Sequence, residues 1–149
     1  MKILILSDNH HRKLDFNFNE FDYILHAGDR GYEEETLLKN NAIYVKGNCD
    51  LTGDDEYILN LGNKKILLLH GHTKNVKQSY LSLSLYARSQ NVNLVIFGHT
   101  HYQDTFTDND ILFINPGAYE DGYYAILDDD NINLYFNETI MKKIKLNWE

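Results

Sequence analysis

The sequence predicts an α/β fold, two β-sheets packed face to face with helices on their outer surfaces. Three observations carry that expectation. Short apolar runs rich in Ile, Leu and Val recur through the first two-thirds of the chain, separated by polar stretches long enough for crossovers. The last third changes to closely spaced strand-like runs joined by Asp and Asn turns. Hydrophobic residues make up 43% and aromatics 13% of 149 residues, enough for one core and too much for a disordered chain.

The strand candidates of the first part are residues 2–6, 23–25, 42–45, 65–69 and 93–97. Their length and composition suit strands covered on both faces. Residues 32–40 read as a crossover helix, with Glu33, Glu34 and Glu35 near its start and Lys39 near its end, matching the helix dipole. Residues 74–89 read as a second helix, because Val76, Tyr80, Leu83 and Ala87 fall at helical spacing and parallel neighbours need a crossover of that length. Residues 12–20 are a weaker helix candidate, since Asp-Phe-Asn-Phe-Asn favours turns. Residues 56–61 and 65–69 flank Gly62-Asn63-Lys64 as a hairpin. Residues 111–114, 123–127, 132–136 and 143–148 read as an antiparallel meander, with turns at Asp108-Asn109-Asp110 and Asp128-Asp129-Asp130-Asn131.

Composition narrows the function. With 14 basic and 22 acidic side chains the net charge is −8, which argues against a broad nucleic-acid surface. A phosphate-bearing substrate would need a local cation. One cysteine, Cys49, suits a reducing compartment, and the N-terminal apolar run is too short for a membrane span or a signal core. A cytoplasmic protein without membrane attachment is expected. The tyrosines serve stacking or a homo-oligomer interface equally well.

Each apolar run ends in a polar signature: Ser7-Asp8-Asn9-His10, then His26-Ala27-Gly28-Asp29, Gly47-Asn48-Cys49-Asp50, His70-Gly71-His72 and Gly98-His99-Thr100-His101. Ligands of open α/β sheets bind beyond the carboxyl ends of strands, so these polar groups should converge on one patch. Carboxylates, an amide oxygen and imidazoles together suit Mn, Fe, Zn, Ni or Co rather than Ca or Mg. Asp8, His10, Asp29, Asn48, His70, His99 and His101 exceed the needs of one ordinary transition ion and match two that share a carboxylate. Singly, each of these residues reads as a cap or a turn. His26 reads as a hydrogen-bonded core histidine, Asp50 as a loop cap, and Cys49 on its own as a small buried filler. His11 and Arg12 read as a solvated loop close enough to Asp8 to touch a phosphate.

The order Asp-x-His, Gly-Asp, Gly-Asn-x-Asp, His, Gly-His-x-His, from Asp8 to His101 with Asn115-Pro116-Gly117 trailing, resembles the calcineurin-like metallophosphoesterases. The Gly-Asn-Cys-Asp and His-Gly-His variants are most similar to the small YfcE-type phosphodiesterases. The resemblance implies one metallophosphoesterase domain over residues 1–149, a two-sheet sandwich flanked by helices. It implies a hydrolase acting on phosphoric ester bonds, most simply a phosphodiesterase, in which a metal-bridging hydroxide attacks phosphorus of a small phosphate ester. Asp8, His10, Asp29 and His101 would hold the first divalent ion, with Asp29 bridging to a second completed by Asn48, His70 and His99. Manganese is the first choice of metal, with Ni, Zn, Fe or Co as alternatives. Cys49 replaces the histidine that many members carry after Gly-Asn, leaving Cys49 and His72 as the candidate acids for the leaving group. Ala118 stands where the family has serine, and the Pro-Arg pair usual downstream is absent. A phosphomonoesterase and a non-catalytic interaction scaffold of the same fold are the alternatives.

Overall fold

The structure, a computed structural model, describes residues 1–146. In chain order the strands are β1 (Lys2–Leu6), β2 (Tyr23–His26), β3 (Ile43–Tyr44), β4 (Glu56–Leu61), β5 (Lys64–Leu69), β6 (Leu94–Ile96), β7 (Asp104–Asp108), β8 (Ile111–Asn115), β9 (Tyr123–Asp128), β10 (Asn131–Phe136) and β11 (Thr139–Lys145). The helices are α1 (Glu34–Lys39) and α2 (Leu81–Ser89), with single 3-10 turns at Phe18–Glu20, His72–Lys74 and Tyr119–Asp121.

Two mixed sheets result, as the sequence predicts. The first runs β11-β10-β9-β1-β2-β3 and the second β4-β5-β6-β8-β7. β1, β2 and β3 are parallel, with Leu6 opposite His26 and His26 opposite Tyr44. β5, β6 and β8 are parallel in the second sheet, with Leu68 opposite Ile96 and Ile96 opposite Ile114. This register releases the loops after β1, β2 and β3 at one edge, and the loops after β5 and β6 at one edge.

The reason the strands are apolar throughout is visible in the packing. Ile3, Ile5, Leu25, Ile66, Leu68, Leu94 and Ile96 meet between the sheets. Leu4, Leu6 and Ile24 point outward and pack under Leu37 of α1. Leu67, Leu69, Val95 and Phe97 point outward from the second sheet and pack under Leu83 and Ala87 of α2. Both faces of each central strand are therefore covered, and alternation disappears from the sequence.

Four expectations need correction. Residues 74–80 are not α-helical: Gly71 and Asn75 take left-handed conformations that break the chain, so α2 begins at Leu81. Residues 12–20 form only the turn Phe18–Glu20, because Asn17 starts it without a side-chain cap. Residues 111–114 do not join the C-terminal meander; β8 lies beside β6 in the other sheet. β7 has no counterpart among the predicted strands, since Asp-Thr-Phe-Thr-Asp offers one large apolar residue, Phe106, which stacks on Phe113 at 4.5 Å. The expected strand over 143–148 corresponds to β11 as far as Lys145, and its last residues lie outside the described ones.

Candidate metal centre

The seven residues singled out at strand ends come together at one rim of the sandwich. Five of them, Asp8, His10, Asp29, His99 and His101, have φ between 46° and 70°. Left-handed backbone is costly for side chains other than glycine and concentrates at functional sites. Here it turns each loop sharply enough to aim the side chain back over the sheet edge. Gly47 and Gly98 allow the close approach. A Cβ on Gly47 would strike the Asp29 carboxylate, and one on Gly98 would strike Ser7 and Asp8.

The donor atoms fall into two groups. In the first, Asp8 Oδ1 lies 3.3 Å from His101 Nε2 and 3.6 Å from His10 Nε2, and those two ring nitrogens are 3.2 Å apart. In the second, His70 Nε2 lies 3.0 Å from Asn48 Oδ1, 3.2 Å from His99 Nδ1 and 3.2 Å from Asp29 Oδ2. Two carboxylate oxygens face across the groups: Asp29 Oδ2, in contact with His70, lies 3.8 Å from His10 Nε2, and Asp8 Oδ1 lies 3.8 Å from His70 Nε2.

This donor set fits cations. His70 donates its Nδ1 proton to the Ala27 carbonyl at 2.8 Å, which leaves Nε2 as a lone pair facing oxygens and another imidazole. Asp8 Oδ1 is buried and has no hydrogen-bond partner, although Asp8 Oδ2 accepts from Ser7 Oγ at 2.5 Å and from the His99 N–H at 3.0 Å. An orphaned buried carboxylate oxygen is costly unless something positive sits against it. Burial pushes the Asp29 carboxyl up, but the His70 ring, the Cys49 N–H and His10 outweigh it and hold it well below the usual range. Burial favours neutral His70, yet Asp29 and Asp8 hold its pKa above the ordinary value. Burial, with His70 and Lys77 beside it, pushes His99 down to about 4.

A second layer holds these groups in place. Asp50 accepts from the N–H groups of Asp29, Arg30 and Gly47 at 2.8–3.1 Å, as the loop-cap expectation implied. His26 is fully buried; its Nε2 donates to Asn9 Oδ1 at 2.7 Å and its Nδ1 accepts from the Gly28 N–H at 3.0 Å. Ser7 and Asn9 are positioning residues that the sequence reading gave no role, and Asn115, quoted only as part of the trailing Asn-Pro-Gly motif, is a third. Asn115 Nδ2 donates to Gly98 O and Thr100 Oγ1, tying the His99–His101 turn to β8. For Ser7 and Asn9 the signal in the sequence was adjacency to Asp8 and His10; for Asn115 it was the trailing motif itself.

The rim residues behave differently from their sequence readings. Cys49 is exposed rather than a buried filler; its N–H donates to Asp29 Oδ1 at 2.9 Å, and its sulfur lies within 4.8 Å of donor atoms of Asp29 and His10. Burial and the Asp29 charge push the thiol up. His72 stands beside the second group, its ring 5.4 Å from His70 and 6.1 Å from His99. Arg12 is not free for phosphate: it donates to Tyr119 O at 2.9 Å and lies over the Tyr119 ring.

Imidazoles, carboxylates and an amide at the carboxyl ends of parallel strands, gathered at one rim, make a site suited to divalent metal ions. Residues 1–130 match the calcineurin-like phosphoesterase superfamily domain. A probable metallophosphoesterase, YsnB of Bacillus subtilis (strain 168), is 34% identical over 126 residues, covering 79% of this chain and 75% of the relative. The solved structure of an archaeal phosphodiesterase is 27% identical with a TM-score of 0.69, covering 98% of this chain and all of that one. Vps29 from Entamoeba histolytica, solved with Zn²⁺, superposes with a TM-score of 0.76 at 23% identity, covering 99% of this chain and all of that one. The chain belongs to the calcineurin-like phosphoesterase superfamily.

Proposed function

We propose that the protein is a metal-dependent phosphodiesterase, a single domain over residues 1–149 that hydrolyses a P–O bond of a small phosphate ester. The observation that carries this is the convergence of unshared lone pairs in two groups joined by Asp29 Oδ2. Asp8, His10 and His101 would hold one divalent ion, Asn48, His70 and His99 another, and Asp29 both. When bound, such a pair supplies positive charge to the phosphoryl oxygens and acidifies a water nucleophile. Manganese is the first candidate, with Ni, Zn, Fe or Co as alternatives. The free Cys49 supports a reducing, cytoplasmic setting.

The chain's own residues then orient the centre and treat the leaving group. The Ala27 carbonyl fixes the His70 ring, and Asp50 fixes the backbone on which Asp29 turns. Cys49 and His72 border the centre as proton donors to the departing oxygen. Both are poor donors at neutral pH: the thiol is held above its ordinary pKa and gives up its proton reluctantly, and burial with His70 holds His72 below its own, so its ring is mostly unprotonated. A positioned acid normally contributes about 10²–10⁴-fold, so substrates whose leaving oxygen needs little help are favoured. Aryl and strained cyclic diesters fit that description.

The test is elemental analysis of purified protein, then hydrolysis of bis(4-nitrophenyl) phosphate and 4-nitrophenyl phosphate with and without Mn²⁺. The expected result is bound transition metal and Mn²⁺-dependent cleavage favouring the diester. Across an aryl diester series the rate should depend steeply on leaving-group pKa, flattened in Cys49→His. A monoester preference would make the protein a phosphomonoesterase. A second reading, a non-catalytic scaffold, draws on Leu81 and Leu85, which stand 65% and 52% exposed one turn apart on α2. The complete donor set weighs against it, and metal-loaded protein without hydrolysis would favour it.

A further inference from the structure

Two hollows meet at the candidate metal centre. One, of about 440 Å³, has His10 and Asp29 in its wall together with Tyr32 and Leu51. The other, of about 520 Å³, has His101 in its wall together with Tyr102 and Tyr123. Because His10 Nε2 and His101 Nε2 are 3.2 Å apart, the hollows lie next to each other across that pair of rings.

Their walls are unusual in two respects. Tyr32, Leu51 and Tyr102 are 90%, 96% and 77% exposed, so none of them stabilises the core. Single exposed apolar residues are common, but here each hollow beside the candidate ligands carries its own. The charges are spent or negative. Arg30 is buried, donating to Glu34 at 2.9 Å and to Thr52 O at 2.6 Å, with Asp50 3.2 Å away. Gln103 donates to the backbone carbonyls of Pro116, Tyr124 and Tyr135, and Asp121 adds a carboxylate. No lysine lines either hollow among the described residues.

Resting on the phosphodiesterase reading, we infer that the two hollows seat the two ester groups of a diester, and that both groups are flat and uncharged, of aryl or nucleobase kind. A monoester has one organic substituent and would leave one hollow empty. Beyond the metal centre, a polyphosphate chain would meet Glu34, Asp50 or Asp121 and no free Lys or Arg among the described lining residues, His11 being the one basic ring away from the proposed ligands. A planar ring gains stacking area on Tyr32 or Tyr102 without needing a charge partner.

The test uses Tyr32→Ala, Leu51→Ser and Tyr102→Ala, all at exposed positions outside the proposed ligand set, with bis(4-nitrophenyl) phosphate, methyl 4-nitrophenyl phosphate and 4-nitrophenyl phosphate as substrates. Binding of diphenyl phosphate is followed separately by calorimetry, and metal content by elemental analysis. Each tyrosine variant is expected to raise KM for the bis-aryl ester, and Kd for diphenyl phosphate, about tenfold, with kcat and metal content little changed. Leu51→Ser should act in the same direction as Tyr32→Ala and more weakly. The methyl aryl ester, with one ring, should respond to only one of the tyrosine substitutions. A wild-type enzyme that cleaves the monoester best, or no ester at all, overturns the diester reading itself. A diester-cleaving enzyme whose KM and Kd ignore all three substitutions keeps that reading and overturns the assignment of the hollows.

Discussion

At Asp29 the two carboxylate oxygens do different work. Oδ1 accepts the Cys49 N–H at 2.9 Å and so holds the loop after β3, while Oδ2 is the oxygen turned to both His70 and His10. Removing its charge should therefore reach both proposed ions. Asp29→Asn is expected to lose both metals and nearly all hydrolysis, Asp8→Asn mainly the ion among His10 and His101, and Asn48→Ala mainly the other. Elemental analysis and the structures of the variants check this; two full sites with normal turnover in Asp29→Asn would sink the dinuclear proposal. The residue types of this site were legible in the sequence, because carboxylates and histidines rarely succeed buried strands in such order. Their left-handed backbones were not, and neither was the support from Asn9, since amides occur in loops everywhere; Asn115 was visible as a motif residue, but its bonds to Gly98 and Thr100 were not.

Within α2 the buried and exposed faces separate cleanly. Leu83 is fully buried against the second sheet, whereas Leu81 is largely exposed. Leu83→Ala should destabilise by about 2–5 kcal/mol, as truncation of a packed leucine does. Leu81→Ala should stay within about 0.5 kcal/mol, as surface changes do. Chemical denaturation of both variants measures the contrast; equal losses would mean that the helix is packed by another face. Helical spacing over 74–89 located this helix but not its start, because Val76 is buried from a turn rather than from a helix. β7 escaped notice for a related reason. It is an edge strand whose pairing with β8 depends on backbone bonds and on Phe106 alone.

For the molecule as a whole, buried histidine couples stability to pH. Burial holds His26 down to about 4 in the folded state, against about 6.5 in an unfolded chain. Between those values the unfolded chain binds a proton that the folded one does not, so stability falls as pH falls through that window and levels off below it. The contribution lost is about 3 kcal/mol in all. Thermal unfolding of metal-free protein between pH 7 and 4 should show this limb, to which His99 also contributes, and His26→Gln should make it shallower. A variant with the wild-type slope would remove His26 as a source. Metal should add to stability in proportion to the logarithm of its concentration over Kd, and a chelator should lower Tm. The added stability should weaken at acid pH, where protons compete for the ligand histidines.

Local composition and order were enough to indicate the sandwich, its central strands and the candidate ligands, because a strand buried on both faces must be apolar and a polar loop at its end then stands out. β1, for instance, has the same ends in sequence and structure. Folding decided what depends on contacts between distant segments. Whether β8 continues the meander or crosses to β6 turns on which sheet covers Phe113 and Ile114, and both candidate strands look alike alone. Cys49 is exposed because its loop, pressed against Asp29 through Gly47, holds it at the rim beside Asp29 and His10 rather than in the core. The two hollows are likewise made by loops from opposite ends of the sequence, which meet only because the register of β1, β2, β5 and β6 brings their ends to one rim.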